Sequence, residues 1–293
     1  MSALAVLQCA RPGWWLVTVW LYLTVLPSGT PRSPSFWLGL AYCTLPLNLL
    51  VYGWNDAVDF EHDRDSERKG NLLFGGKPGP TLRRWLFRAS CWAQLPFVVA
   101  LTAADCGGQG APSGWGRLRM LGWFGAVAGV NGLYNHPLPR LSGRPPFDLA
   151  APAGYLLVAQ MAVWLNRAPQ PAPRFWAFNA FLVLQTQVWA QLVDISVDAA
   201  SGRRTSVVLL GLRRAQLLLL AVVVASLAFI CEHCDDGVVR AFGCLSLVLP
   251  LTTEPAEPGE ERAQGQRLQL LGWLMNASGA YLAWHCVQSG ALL

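Results

Sequence analysis

The stretch that decides the fold is "YGWNDAVDFEHDRDSERKGN", Tyr52–Asn71, in which an apolar segment ends in a dense run of charge. It holds six acidic side chains and, with His62, four basic ones. Elsewhere charge is scarce: the 293-residue chain is 53% hydrophobic and only 13% charged, which is about half the charge of an ordinary soluble domain. We therefore expect the charge gathered here to serve a function.

Long apolar runs dominate the rest of the chain, and short loops between them hold nearly all the charge. A straight membrane crossing needs roughly 20 apolar residues. We predict an all-α, polytopic membrane domain over residues 1–293, a bundle of about nine transmembrane helices around a central cavity. The sequence contains no Lys/Arg run with interleaved aromatic residues, which is the pattern that would indicate a nucleic-acid partner. The nine runs cover approximately residues 14–27, 36–54, 89–104, 119–134, 148–165, 175–193, 214–231, 238–251 and 268–286.

The topology of nine crossings places the charged stretch on the same membrane face as a second acidic stretch, "LVDISVDAASGRRT", Leu192–Thr205. Both follow even-numbered runs. That face would hold 16 of the 22 Lys and Arg residues, so the positive-inside rule predicts that it is cytoplasmic or the organelle equivalent.

Two loops receive simpler interpretations. The Pro/Glu-rich residues 252–267 lack apolar content and are predicted to be flexible. The pair in "CEHCDD", Cys231–Asp236, lacks further ligands at matching spacing, which favours a loop or a local disulfide over a zinc site.

A spacing of four residues relates Asn55, Asp59 and Asp63 in the first stretch, and Asp194 and Asp198 in the second. On continued helices, each set would project from one face. Like unit charges ~4 Å apart cost about 4 kcal/mol at an effective dielectric near 20, so a cation must lie between them. Hard oxygen ligands without His or Cys suit Mg²⁺, whose shell is often completed by substrate phosphates. The predicted metal ligands are Asn55, Asp56, Asp59, Asp63, Asp194 and Asp198, and the catalytic residues are Asp59, Asp63, Asp194 and Asp198.

Basic side chains beside both acid sets would meet phosphate oxygens. These are Arg64, Arg68, Lys69, Arg203 and Arg204. In this arrangement the acids hold Mg²⁺, and Mg²⁺ and the basic residues together hold a diphosphate at the mouth of an apolar bundle. A ligand with a diphosphate head and a long hydrocarbon tail, held within the lipid bilayer, matches it.

The motifs resemble those of the UbiA superfamily of intramembrane prenyltransferases. The family motif N-D-x-x-D-x-x-x-D is matched by Asn55–Asp63, and D-x-x-x-D with G-x-x-T by Asp194–Thr205, followed by "VVLLG". "YNHPLPRLSGRPPFD", Tyr134–Asp148, resembles the loop after the family's fourth helix. Nine helices is also the family's count, so the resemblance covers nearly the whole chain.

Two departures from the family pattern are visible. Ser142 stands where many members have Lys, and "SERKGNLLFGGKPG", Ser66–Gly79, replaces an R-P-x-x-x-G stretch. The Arg-Lys-Gly run is similar to a branch that includes lycopene elongases, and a chlorophyll-synthase-like branch stays open. Neither assigns an acceptor.

The resemblance implies Mg²⁺-dependent transfer of a prenyl group from a prenyl diphosphate to a lipophilic acceptor, aromatic or polyene. It adds Arg140 and Arg144 to the diphosphate-binding residues. Tyr134, Trp54 and Trp189 are candidates for steadying an allylic cation, with packing or interfacial anchoring as the alternative for the tryptophans. Polar residues inside predicted spans contact the acceptor or bond between helices: Asn131, Asn135, Gln187 and Gln191.

Other functions are weighed against this one. A CDP-alcohol phosphotransferase needs D-G-x-x-A-R ahead of its acids, and the chain has none near either motif. A transporter would place charge near the bilayer midplane, whereas these acids lie at span ends. A membrane-bound terpene cyclase of the UbiA type and a non-catalytic lipid-binding protein stay open as alternatives.

Overall fold

The computed structural model describes residues 2–63, 68–106, 113–254 and 261–292. Within those ranges every regular element is a helix, and an isolated β-bridge joins Asn71 to Gly75. The α-helices are α1 Ala3–Cys9, α2 Trp15–Thr24, α3 Pro34–Tyr42, α4 Leu45–Asn48, α5 Trp54–Val58, α6 Phe60–Asp63, α7 Pro80–Cys106, α8 Ser113–Asn135, α9 Phe147–Ala150, α10 Leu157–Asn166, α11 Pro173–Val193, α12 Ile195–Ala200, α13 Ser206–Leu210, α14 Leu212–His233, α15 Gly237–Leu245 and α16 Glu261–Ser289.

Tighter or wider turns connect some of these helices. A π-helical turn at Leu49–Gly53 joins α4 to α5, and 3₁₀ turns occupy Ala151–Leu156 before α10 and Ser246–Thr252 after α15. Two further 3₁₀ turns lie at Pro12–Trp14 and Leu141–Gly143.

Each of the nine predicted apolar runs overlaps a helical segment. Four helical runs in the described ranges are long and apolar enough to cross a membrane: Pro34–Val58, Pro80–Asp105, Phe147–Asn166 and Leu212–His233. Gly237–Thr252 is apolar but shorter. The prediction of an all-α integral membrane protein is confirmed, while the count of nine crossings stays a prediction.

The helices pack around a cavity at one end of the bundle and a filled core at the other. α11 packs against α14, α7 against α8, and α2 against both α10 and α16. The filled core contains large, fully buried side chains from several of these helices, among them Tyr22, Tyr42, Met120, Met161 and Phe175. The cavity therefore adjoins this packed core.

The two loop interpretations have different outcomes. Residues 261–267 of the predicted flexible segment form the first turns of α16, so the flexible-loop prediction is wrong for that part, and residues 255–260 lie outside the described ranges. Helical periodicity was hidden there because the seven residues are mostly polar. Cys231 lies in the last turn of α14 and Cys234 directly follows that helix, so only part of this stretch is a loop. Both cysteines are free thiols, so the disulfide alternative is wrong.

Candidate active site

A cavity of about 460 Å³ lies between the helices that carry both acid motifs. Its size falls within the range of ligand pockets, about 300–1,000 Å³. Polar residues line the end near the motifs: Asn55, Asp59, Arg68, Lys69, Asp194, Asp198, Arg203 and Thr205. Apolar residues line the rest, including Leu21, Leu47, Val127, Val158, Leu182 and Phe242. The cavity thus has a charged mouth and an apolar interior.

Asp59 and Asp194 each lie where a helix is interrupted. Asp59 separates α5 from α6 with φ −87° and ψ 13°, and Asp194 separates α11 from α12 with φ −97° and ψ 1°. This bridge region of backbone space is sparsely populated and recurs at active sites. The spacing argument assumed that the helix continues past Trp54 to Asp63. The structure interrupts the helix at Asp59, and Asp59 lines the cavity.

Arg203 joins the two acid motifs. Its Nη1 lies 3.4 Å from Asp59 Oδ2 and 3.7 Å from Asp198 Oδ1. Burial by itself would lower the pKa of this guanidinium, but Asp59 and Asp198 outweigh burial and raise the pKa above its ordinary value. A permanent positive charge therefore lies between carboxylates that are far apart in sequence.

Two more arginines neutralise the same acids. Arg68 Nη2 lies 2.5 Å from Asp194 Oδ1, and Arg140 Nη2 lies 3.0 Å from Asp59 Oδ1. Asn55 donates to Asp59 Oδ2 and to Asn135 Oδ1, each at 3.0 Å. We call Asp59, Asp194, Asp198, Arg68 and Arg203 the mouth cluster. These arginines place positive charge between the carboxylates of the two motifs, where the sequence analysis expected a cation.

The donors of the mouth cluster fit Mg²⁺. No group of three His, Cys, Asp or Glu among the described residues is close enough to hold a metal ion. Mg²⁺ is usually bound through only one or two carboxylates, with waters and substrate phosphates completing its shell. The carboxylates of Asp59, Asp194 and Asp198 line the cavity from both motifs and could supply the one or two protein oxygen ligands that Mg²⁺ needs.

Asp56 has a different environment from its neighbours in the first motif. Its side chain is fully buried, and Oδ1 pairs with Arg11 Nη2 at 2.6 Å and Lys69 Nζ at 2.7 Å. Oδ2 accepts the Gly76 N–H at 2.9 Å. Asp56 is not in the cavity wall, although the sequence grouped it with the metal ligands. We call Arg11, Asp56 and Lys69 the buried cluster.

Asp148 does not line the cavity but bonds to residues beside the second motif. It is fully buried and accepts hydrogen bonds from the Ser206 N–H at 2.5 Å and the Ser206 hydroxyl at 2.6 Å. Gln191 also donates to it, at 3.1 Å. These bonds fix the start of α13 beside the second motif.

The predicted acceptor residues lie in or beside the cavity, where hydrogen bonds hold them. Gln187 donates to the Tyr134 hydroxyl at 3.3 Å and to the Asp148 carbonyl at 3.1 Å. Asn131 donates to the Val127 carbonyl at 3.1 Å within α8. Gln187 and Gln191 therefore bond between helices, which was the alternative that the sequence left open, while both still line the cavity.

Several predicted diphosphate contacts lie elsewhere. Arg144 donates to the Leu138 carbonyl at 2.7 Å, Arg204 is exposed, and neither is in the cavity wall. Arg64 lies outside the described residues, as does the side chain of Asp63. Lys69 lines the cavity while pairing with Asp56.

Sequence reasoning missed Arg11. It comes from the short segment between α1 and α2, lines the cavity, and lies 4.8 Å above the ring of Tyr52. It also donates to Asn55 Oδ1 at 3.4 Å. Its signal in the sequence is weak, a single Arg before Pro12, because neither motif includes it. Tyr155 also lines the cavity and was missed inside an apolar run.

No family model matches the chain. Its fold is similar to solved structures of a UbiA homolog from Archaeoglobus fulgidus, one bound to GPP and Mg²⁺ (TM-score 0.61) and one to DMAPP and Mg²⁺ (TM-score 0.63). Each comparison covers 97% of this chain and 99% of that one, at 16% sequence identity. This chain has the UbiA fold. The resemblance predicted from the motifs is thereby confirmed.

Curated sequences similar to this UbiA-type chain carry carotenoid names. It is 25% identical over 214 residues to the lycopene elongase/hydratase of Corynebacterium glutamicum, covering 72% of this chain and 70% of that protein. It is also 25% identical over 258 residues to the C(50) beta-cyclic carotenoids biosynthesis protein LbtBC of Dietzia sp. strain CQ4, covering 85% of this chain and 55% of that protein.

Proposed function

We propose that this UbiA-type protein is an enzyme that transfers a prenyl group from a prenyl diphosphate to a lipophilic acceptor within the membrane, with Mg²⁺ as its cofactor. The observation that carries the proposal is Arg203, which links Asp59 and Asp198 at the charged mouth of an apolar cavity. A head with several negative charges and an apolar tail is the ligand that such a cavity would hold.

The mouth cluster would bind the diphosphate and the metal together. Asp59, Asp194 and Asp198 would hold Mg²⁺, which as a Lewis acid stabilises the negative charge on the departing diphosphate. Arg68 and Arg203 would donate to phosphate oxygens, since guanidinium groups match phosphate in geometry and charge. Because an arginine side chain stays protonated at physiological pH, Arg203 would contribute fixed electrostatic stabilisation.

The apolar interior would then protect and guide the reactive carbon. Breaking the C–O bond leaves an allylic cation, the acceptor's π electrons form the new C–C bond, and a proton is lost from the acceptor. The Tyr134 ring lines the cavity beside the mouth, and its hydroxyl is oriented by Gln187. An aromatic face of this kind stabilises a cation, and the surrounding apolar wall excludes water.

We further propose a carotenoid-type polyene as the acceptor. The supporting observation is that similar curated proteins carry lycopene and carotenoid names. An apolar polyene also suits a cavity whose charged residues concentrate at one end. The position of the mouth on the cytoplasmic side is likewise a proposal, resting on the distribution of Lys and Arg.

The test uses membranes that contain the full chain, a prenyl diphosphate, Mg²⁺ and lycopene. We expect pyrophosphate release and a product heavier than lycopene by whole isoprene units, both abolished by EDTA. Asp59→Asn and Asp194→Asn should each lower the rate by at least about 100-fold, because electrostatic stabilisation of the leaving group is lost. Arg204→Gln, which alters an exposed residue outside the cavity wall, is the matched control.

Two results would contradict the proposal in different ways. Full activity in Asp59→Asn would remove the mouth cluster from the reaction. Pyrophosphate release that is unchanged when no acceptor is present, with a cyclic hydrocarbon as product, would favour the terpene cyclase alternative.

A further inference from the structure

The inner end of the cavity is closed by two residues that no motif includes. Trp20 on α2 and Asn179 on α11 both line the cavity, and the indole N–H of Trp20 donates to Asn179 Oδ1 at 2.8 Å. Only 7% of Trp20 and 1% of Asn179 is exposed. We call this pair the cavity floor.

The register of the helices shows where the cavity stops. On α2 the last cavity-lining residue among those described is Leu21, and the next residue, Tyr22, is fully buried. On α10 lining stops at Val158, and Met161 one turn further is fully buried. On α11 the lining stops at Asn179, with the fully buried Phe175 beyond it. Packed core therefore begins at the same level on three helices.

The floor is held rigidly. Asn179 uses both ends of its amide, because Nδ2 donates to the Phe175 carbonyl at 2.9 Å while Oδ1 accepts from Trp20. The Trp20 ring also packs on Phe178, with centroids 6.4 Å apart. Burying the Trp20–Asn179 pair without these bonds would leave unsatisfied polar groups, so the pair resists displacement by an incoming hydrocarbon.

The distance from mouth to floor is set by α11. Asn179 precedes Asp194 by 15 residues, which corresponds to roughly 22 Å along a helix that rises 1.5 Å per residue. A prenyl tail that runs from the mouth along α11 has this length available before it meets Trp20.

We infer that Trp20, positioned by Asn179, sets the longest prenyl tail that the cavity accepts from the donor. The inference rests on the proposed function, since it assumes that the diphosphate binds at the mouth cluster. It assigns substrate selectivity to a residue remote from both motifs. Trp20 is thus a specificity-determining residue, and Asn179 is a positioning residue that holds the indole across the cavity.

The test measures binding across a series of prenyl diphosphates that differ only in tail length. Purified full-length protein in detergent with Mg²⁺ is heated with each compound, and the ligand-induced rise in Tm gives the relative affinity. We expect affinity for the wild-type chain to fall beyond one tail length. Trp20→Ala should move that limit to longer tails and change the preference between neighbouring tails by at least tenfold, as a resized hydrocarbon pocket does.

Three further variants keep the test decisive. Trp20→Phe retains most of the packing and should shift the tail-length limit less than Trp20→Ala does. It therefore still tests the inference if Trp20→Ala folds poorly. Asn179→Leu releases the indole and should blur the limit, whereas restoring the amide as Asn179→Gln should return part of it. Trp176→Ala removes a tryptophan from α11 outside the cavity wall and should leave the limit unchanged.

The inference is overturned if Trp20→Ala and Trp20→Phe keep the wild-type limit, or if Trp176→Ala moves it equally. Failure of the proposed function looks different. In that case wild-type protein would release no pyrophosphate from any member of the series, whatever the tail length it binds.

Discussion

The buried cluster and the mouth cluster use the same kinds of charges in opposite ways. Asp56 and Asp59 are three residues apart in one motif, yet Asp56 is fully buried against Arg11, Lys69 and the Gly76 N–H. Asp59 lines the cavity and meets Arg203 at the longer distance of 3.4 Å. The difference teaches that a motif acid can be buried in ion pairs or can line the cavity, depending on whether it lies within α5 or at the helix break that follows.

The largest expected effect tests this division through stability. Asp56→Asn leaves Arg11 and Lys69 buried beside a neutral amide, and breaking a buried ion pair costs about 3–5 kcal/mol. We expect a fall in unfolding free energy of this size, measured by thermal or denaturant unfolding in detergent. Asp59→Asn is the matched control and should lose far less, because Arg140 is 40% exposed and can be solvated, and Arg203 keeps Asp198 as a partner. A stable but inactive Asp56→Asn would instead place Asp56 among the metal ligands.

An intermediate effect is expected at Gly75, which closes the loop over the buried cluster. Its φ is +102°, and an added Cβ would lie 2.7 Å from both Arg11 Nε and Asp56 Oδ2. Backbone strain of this type costs about 1–3 kcal/mol, and the close contact adds to it, so Gly75→Ala should lower Tm. Gly70→Ala separates the two causes, since Gly70 has φ +94° with nothing near its Cβ position. Equal losses in both variants would mean that the contact with the buried cluster adds nothing.

The smallest effect on stability is expected in the mouth cluster. The Arg68 and Asp194 side chains are 17% and 33% exposed, and partly exposed ion pairs contribute about 0–1 kcal/mol. Arg68→Gln should therefore leave Tm nearly unchanged while raising KM for the prenyl diphosphate by about tenfold, the loss of one charged hydrogen bond. Arg204→Gln should change neither quantity. A large loss of stability in Arg68→Gln would assign the mouth cluster to the fold as well.

Much of the fold was predictable because long apolar runs report helices directly. The spacing of Asn55, Asp59, Asp194 and Asp198 also predicted a common site, and these residues do line one cavity. The prediction was possible because both acidic stretches follow even-numbered apolar runs, which places them on the same face of the bundle.

The sequence could not separate Asp56 from Asp59, because no Pro or Gly in residues 54–63 marks the helix break at Asp59. Nor could it find Arg11 or Trp20. The segment that carries Arg11 is joined to residues 70–72 by two hydrogen bonds, from the Gly13 N–H to the Leu72 carbonyl at 3.0 Å and from Gln8 to the Gly70 carbonyl at 2.8 Å. Trp20 is one of 14 tryptophans, and no sequence pattern distinguishes the one that ends the cavity.

The shared guanidinium of Arg203 has a consequence for how the protein survives between reactions. In a structural zinc domain the chain unfolds once its ion is stripped away, since nothing else relieves the ligands. Here positively charged side chains already balance the carboxylates, so chelation should silence the catalyst while leaving its architecture intact. The metal-free protein should therefore stay folded in the bilayer and regain activity when Mg²⁺ is added back.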